Sequence, residues 1–370
     1  MKKLLLTMAA CLLLSAFTAT TAGAVDVMEE QKTSFGADEV ERALPGEAAE
    51  ILEGMGVEDS LDVDSGLSRL LNYAREKLGG IVRRGVKSGA LMVTVALLCS
   101  MAGSMYDGGA VPNFVPMGGA LAISAVAAGD ISSFIGMGKD TLQALSDFSK
   151  VLLPSLCAAA TASGSITAGA AKYAATALFM DALMTAAARI VLPVIYCYIA
   201  TVIANAAVGG NSLAGAASLM KWLCTTLMTI LMISFVAYLS ITGIISGTAD
   251  VVSTRVAKTT LSTTLPVVGS IISDAASIVV AGASVLRNAI GVFGLLAVAG
   301  VCLTPFLTLG VQYLIYKAAA GMAGALSDSR LSGLIGGIGS AFGMVLSLTG
   351  AGALMLFFSI ISSIKAVAGP

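Results

Sequence analysis

Long apolar stretches recur along the chain from residue 88 onward, and each is about as long as a bilayer requires or longer. A spanning helix needs about 20 mostly apolar residues. Stretches of this kind are 88–106, 110–129, 151–171, 173–208, 222–247, 266–286, 289–316 and 331–364. Residues 173–208 are too long for one span and contain Pro193, so they form either one kinked helix or a tight pair. The pattern predicts an all-α, polytopic transmembrane bundle of about six to eight spans.

Two other segments mix apolar and charged positions at helical spacing. Residues 65–87 have a leucine-rich stripe flanked by Arg69, Arg75, Lys77, Arg83, Arg84 and Lys87. We interpret them as a basic amphipathic helix that suits a membrane surface or an acidic partner. Residues 130–150 have one apolar face and one polar face, which indicates either an interfacial or re-entrant helix or a connecting helix packed on the bundle.

The N-terminus has the three parts of a secretory signal peptide. Lys2 and Lys3 precede the apolar residues 4–16, and an Ala-Gly-Ala sequence at 22–24 offers a cleavage site. An uncleaved anchor is the alternative. Cleavage would place residues 25–64 outside the cytoplasm, and this acidic segment, with 13 acids and two bases, is expected to be loosely structured.

Prolines suggest an internal duplication of the membrane region. Pro154 and Pro266 are 112 residues apart, and so are Pro193 and Pro305. After a first transmembrane hairpin (88–129), we therefore predict two repeats, 130–247 and 248–370, with a six-residue slip in the second half. Pores and transporters are often built from such repeats. Small residues such as Gly339 and Gly343 would allow close packing within the chain or in a homo-oligomer.

Composition narrows the function classes. The chain is 57% hydrophobic and 12% charged, and it contains no histidine. The usual general base and the commonest metal ligand are therefore missing, and the six cysteines lack metal-binding or redox spacing. An intramembrane protease would need a Ser–Lys dyad or an Asp pair, for which Asp181 and Asp274 are only nominal candidates. We expect no enzyme, no cofactor, no metal and no nucleic-acid partner.

Charged residues inside apolar runs are the candidate functional residues, because they are costly in lipid unless they face protein or water. Asp181 and Arg189 are separated by about 80° on a helix and could face one cavity. The block 255–294 is the expected functional centre, and the alternative is a surface helix with solvated charges. Its candidate pore or functional residues are Arg255, Lys258, Pro266, Asp274 and Arg287.

Four short sequences carry a resemblance to a known family. Residues 254–260 (TRVAKTT), 265–269 (LPVVG), 273–274 (SD) and 286–294 (LRNAIGVFG) resemble the stage III sporulation protein AE family of endospore-forming bacteria. The layout is similar too, with a signal peptide, a short charged region and a polytopic body containing LIYK at 314–317. The resemblance covers about residues 85–370, and the acidic segment resembles the family poorly.

This resemblance implies a subunit of the channel, or feeding-tube, complex between mother cell and forespore, needed for forespore development. It implies a place in the mother-cell (outer forespore) membrane. The implied partners are the other stage III sporulation A-operon proteins and the forespore protein SpoIIQ. The family has no established catalytic residues to carry over. The alternative, from the Pro-broken repeats and buried charges, is an autonomous secondary transporter or permease for small solutes.

Overall fold

A computed structural model describes residues 32–105, 114–163, 169–209, 213–245 and 268–365, and these residues form helices and turns without strands. The side chains of 169–173, 242–245, 268–279 and 365 are outside the description. The signal peptide prediction also lies outside the described residues. The helices are α1 (Ala37–Arg42), α2 (Gly46–Ile51), α3 (Val63–Ser104), α4 (Phe114–Ala162), α5 (Gly169–Ala186), α6 (Leu192–Val208), α7 (Ala214–Ile245), α8 (Val268–Leu326) and α9 (Ser329–Lys365).

Six helical stretches in the described residues are long and apolar enough to cross a membrane. They are Val63–Ser104, Phe114–Ala162, Ala174–Val208, Ala214–Ile241, Val280–Leu326 and Ser329–Ile364. The predicted all-α helical bundle is thereby confirmed. Helix α3 has 42 residues and α4 has 49. At 1.5 Å per residue they are roughly 60–75 Å long, about twice the thickness of the hydrocarbon core.

The two amphipathic segments are parts of longer helices. Residues 65–87 continue without interruption into the apolar half of α3, and 130–150 form the middle of α4. The proposed boundaries at 87/88 and 129/130 therefore fall inside continuous helices. Neither position has a proline, and an isolated glycine such as Gly129 is tolerated in a helix. Phe134, Leu142 and Leu145 are buried in the bundle, which favours the interpretation of 130–150 as a packed helix.

Residues 173–208 form one helical stretch with a π-helical turn. The turn, Ala187–Val191, joins α5 to α6, and Pro193 lies in the first turn of α6. Proline cannot donate a backbone hydrogen bond, and its ring collides with the carbonyl four residues earlier. The wider π-turn is the kind of local adjustment that accommodates such a residue. Of the two predicted arrangements, the single interrupted helix is therefore the observed one.

The acidic segment folds against the bundle, so the expectation of a loose structure is wrong for residues 32–62. Helices α1 and α2 and a 3-10 turn at Asp59–Leu61 bury Val40, Leu52 and Val57. The Ser60 hydroxyl donates to the carbonyl oxygen of Ala289 at 2.9 Å. Few apolar residues are present in this segment, but they recur at helical spacing and meet apolar residues of α8, including Gly300.

Helices α8 and α9, which we call the inner hairpin, lie at the centre of the bundle. A Cβ atom built on Gly339 would be 3.0 Å from the Tyr316 Cβ, and one on Gly343 would be 3.0 Å from the Tyr313 ring. The small residues of α9 therefore serve contact within the chain, one of the two predicted uses. Phe342 completes the contact, with ring centroids 4.2 Å from Phe134 and 4.9 Å from Tyr316.

The predicted duplication has partial counterparts in the helix pattern. Helices α6 and α7, which we call the outer hairpin, are separated by a break after Val208, and the inner hairpin has its break after Leu326. These ends are 118 residues apart, the predicted offset plus the slip. In contrast, α4 ends at Ala162, whereas the residue 112 positions later, Asp274, lies inside α8. Pro266 is outside the described residues, so the duplication remains a prediction.

Candidate functional site

Asp181 belongs to a polar cluster that links α4 to α5. Its carboxylate lies 2.9 Å from the Lys150 ammonium and accepts a 2.8 Å hydrogen bond from the Ser146 hydroxyl. Lys150 also contacts Asp147 at 3.2 Å. The Lys150 and Asp181 side chains are 48% and 41% exposed, so their attraction is weakened by solvent where this surface meets water. The cluster is one of the contacts between α5 and α4.

Arg189 is not part of this cluster. It lies on an exposed position of the π-turn, and the described residues include no ion pair between it and Asp181. Their spacing on one helix left both free to face a common cavity. Asp181 instead turns to α4, where Lys150 supplies a closer cation. The structure therefore does not bring these two predicted residues together.

Arg287 is the one predicted member of the 255–294 block whose side chain is described, and it is buried. It is 3% exposed, and its guanidinium donates to the Ser163 hydroxyl at 3.3 Å, where α8 passes the end of α4. A solvated surface position is thus wrong for Arg287. Arg255, Lys258 and Pro266 lie outside the described residues, and Asp274 lies in α8 with its side chain outside the description. Their functional role remains a prediction.

Sequence reasoning missed the contact between Asp130 and Tyr316. The fully buried Tyr316 hydroxyl donates to the Asp130 carboxylate at 2.8 Å and joins α8 to α4. Asp130 is recognisable as a charge at the edge of an apolar run. Its partner is 186 residues away and lies in an apolar sequence, so only the packing of α4 on α8 identifies it.

In the described part of the chain, the polar groups form local pairs at separate places rather than one line through the bundle. Several of these pairs join two helices, as Lys317 does by donating to the Ser340 hydroxyl at 2.9 Å. Buried polar groups in a membrane helix need such partners. Within the residues that the structure describes, no group of three metal-ligating side chains occurs. The geometry supports positioning of helices more directly than it supports chemistry.

Helix α3 has two different apolar faces in its charged half. The inward face packs Leu70, Ile81 and Gly85 on the bundle, and a Cβ on Gly85 would meet Ile315 of α8 at 2.5 Å. The other face is exposed and is flanked by Arg75, Arg83, Arg84 and Lys87. We call this the α3 outer face, and its apolar residues are Leu67, Leu71, Leu78, Val82 and Val86.

The six long apolar helices found among the described residues define this chain as a polytopic α-helical membrane protein. The chain belongs to the stage III sporulation protein AE family, whose sequence pattern matches residues 48–367. The resemblance seen in the sequence is thereby confirmed, and it begins earlier than expected, within the acidic segment.

A relative from Bacillus subtilis (strain 168), "Stage III sporulation protein AE", is 23% identical over 188 residues. The match covers 50% of this chain and 47% of that protein, so the chain matches about half the length of this curated relative. No solved structure matches the chain.

Proposed function

We propose that this chain is a non-enzymatic membrane subunit of the channel complex that connects mother cell and forespore, and that it is needed for forespore development. It is a structural or pore-forming subunit in the mother-cell (outer forespore) membrane. Its partners are other stage III sporulation A-operon proteins and SpoIIQ. Membership of the family supports a role in stage III sporulation. The role in a channel complex, the location in the mother-cell membrane and the partners are proposals that go further than family membership.

The α3 outer face is the observation that carries this proposal. Helix α3 is about twice as long as the hydrocarbon core is thick, and residues 65–87 form its basic half. Leu71 and Val86 are each 52% exposed in that basic half. An exposed apolar stripe bordered by cations is typical of a surface that binds another protein. A permease that works alone has no need for such a face.

The test is co-purification of the full-length chain from sporulating cells of its own endospore-forming host. Wild-type protein should bring the other operon proteins with it. The double variant Leu71→Asp/Leu78→Asp should lose them, because two carboxylates would be buried in the interface without partners. It should still accumulate in the membrane, since both positions are exposed in the isolated chain.

Ser132→Asp is the matched control, because Ser132 is an exposed residue on α4 away from the α3 outer face. It should keep the partners and support spore formation. Wild-type chain that purifies alone while supporting solute uptake would favour the permease instead. Retention of every partner by the double variant would show that the α3 outer face is not the interface.

A further inference from the structure

A basic cavity lies between α6, α7 and α9, at the end of the bundle where both hairpins turn. Its volume is about 420 Å³, within the range of about 300–1,000 Å³ typical of small-molecule sites. The polar residues of its wall are Tyr198, Asn205, Ser218, Lys221, Ser329 and Arg330. Two cations are therefore present, and the described wall contains no acid.

Arg330 is held in this wall by its packing on α6. Gly209 has a φ of 77°, and a Cβ atom on it would overlap the Arg330 guanidinium, so the arginine lies directly on the glycine backbone. The Arg330 Nε, a hydrogen-bond donor, is buried and makes no hydrogen bond within the described residues. The adjacent acid, Asp328, lies at the start of α9, where its carboxylate accepts from the Arg330 backbone N–H at 3.1 Å and from the Ser329 hydroxyl at 3.3 Å.

The surroundings of the cavity are typical of the level of lipid headgroups. Lys221 is followed by Trp222, the single tryptophan of the chain, whose side chain is 60% exposed. Tryptophan is enriched where a membrane protein passes from hydrocarbon to water. Helices α7 and α9 both begin beside the cavity, and their first N–H groups favour negative charge.

We propose that this cavity binds a phosphate group, with Arg330 and Lys221 as its cationic ligands and with donors from Asn205 and Ser218. Arginine and lysine match phosphate by charge and by hydrogen-bond donors. Basic cavities between membrane helices are typical sites for anionic lipid headgroups, and free phosphate offers the same chemistry. The Asn205 side chain amide would donate to the phosphate through its nitrogen.

Trp222 provides the probe for the lipid source. The full-length protein is reconstituted in phosphatidylcholine vesicles that contain a minor fraction of brominated phosphatidylglycerol or, as reference, brominated phosphatidylcholine. Bromine quenches tryptophan fluorescence on contact. If phosphatidylglycerol binds at the cavity, the brominated form should quench Trp222 fluorescence more than its fraction of the total lipid would by random contact. Arg330→Gln and Lys221→Gln should each weaken this excess binding about fivefold, and the double variant about 25-fold.

Lys139→Gln is the matched control, because it removes one exposed cation of α4 outside the cavity. It should quench as the wild type does, and Arg330→Lys should retain most of the excess. If Arg330→Gln does not accumulate, the Lys221→Gln variant is sufficient to test the site. Lys221 is exposed, so its substitution removes no packing contact.

Inorganic phosphate distinguishes the second source. If it raises the unfolding temperature of the wild type in detergent but not that of the double variant, and phosphatidylglycerol gives no excess quenching, the ligand is a free phosphate. The proposal is overturned if neither probe has an effect on the wild type. Equal effects on wild type and double variant would also overturn it.

Discussion

The helices of the inner and outer hairpins are similarly apolar, but α7 of the outer hairpin has very different surroundings from α8 and α9. Their most apolar stretches have mean hydropathies of 1.9 in α7, 2.2 in α8 and 2.1 in α9. Only 11% of the stretch in α7 is buried, compared with 61% in α8 and 56% in α9. Hydropathy therefore predicts that all three helices can cross a membrane, but it does not predict which of them is enclosed by protein.

Small residues explain the difference. In lipid, apolar side chains gain little by leaving hydrocarbon for a neighbouring helix, so close packing decides which helices associate. Gly339, Gly343 and Gly350 of α9 lie against Tyr316, Tyr313 and Phe306 of α8. At the start of α7, Gly215 has no neighbouring atom within 4 Å. Close contacts at these three glycines thus hold α9 to α8, and Gly215 of α7 makes no such contact.

The largest contrast is expected from truncating one large side chain in each hairpin. Phe342 is 1% exposed between two rings, and Phe342→Ala should lower the free energy of unfolding by about 3–5 kcal/mol because it leaves a cavity. Ile233 of α7 is 62% exposed, and Ile233→Ala should change the free energy of unfolding by less than about 0.5 kcal/mol. Denaturant unfolding in mixed micelles measures both. Similar losses would mean that the hairpins are equally enclosed.

Adding one methyl group should have opposite signs in the two hairpins. In Gly339→Ala the new Cβ would be 3.0 Å from the Tyr316 Cβ, and the strain should cost about 1–3 kcal/mol. Gly215→Ala meets nothing and should be neutral or stabilising by up to about 1 kcal/mol through helix propensity. The two unfolding midpoints should therefore move apart. A stabilised Gly339→Ala would contradict the close contact of α8 with α9.

Removing a hydroxyl group tests the contact between α8 and α4. Tyr316→Phe should cost about 1–3 kcal/mol, because the Asp130 carboxylate loses its 2.8 Å donor inside the bundle. Tyr196 of α6 is 48% exposed, and Tyr196→Phe should have no measurable effect. The pair is compared by thermal unfolding at one detergent concentration. A Tyr316→Phe protein as stable as the wild type would show that Asp130 has another donor.

A smaller effect is expected at the surface pair of α4 and α5. Asp181→Asn should cost no more than about 1 kcal/mol, because both partners are nearly half exposed and water replaces the lost attraction. High salt should reduce the difference further. A larger loss, insensitive to salt, would mean that this cluster is enclosed by lipid or by a partner chain.

The smallest effect should come from Asp62, which lies outside both hairpins at the start of α3. Hydrogen bonds from the Ser65 hydroxyl and backbone N–H lower the pKa of the Asp62 carboxyl below its ordinary value of 3.8. The cap therefore stabilises the fold above that value, and the contribution is lost as pH falls through the lowered pKa. The gap in unfolding temperature between wild type and Asp62→Ala should close over that range. A gap independent of pH would exclude the carboxylate cap.

Much of the fold was predictable because it rests on local pattern. Apolar runs of spanning length predict the long helices, and Pro193 predicts the interruption before α6. Burial of the acidic segment was not predictable, because Ala48 and Ile51 are apolar residues among many acids and their neighbour Gly300 lies in α8, more than 200 residues later. The ends of helices were also hard to place, since nothing near residues 87 or 129 shows whether a charged helix stops or continues.

The candidate site was predictable only as a set of residue types. Charge in an apolar run marks Asp181 and Arg287 as unusual, but it does not identify Lys150 or Ser163 as their partners. Those contacts depend on how α4 lies against α5 and α8, which is decided by packing between distant segments. The basic cavity also depends on packing between distant segments. Lys221 and Arg330 are 109 residues apart and line the same cavity because α7 and α9 both lie beside α6.

The central claim is that α7 faces lipid while protein encloses the inner hairpin. Photolabelling by a lipid that carries a carbene precursor in its acyl chain tests this claim most directly. The full-length chain would be labelled in vesicles, and the label would be counted for each peptide. Ile230, Ile233 and Val236 of α7 should be labelled heavily, and residues 289–302 of α8 should be almost free of label. Labelling of 289–302 as heavy as that of α7 would contradict the account.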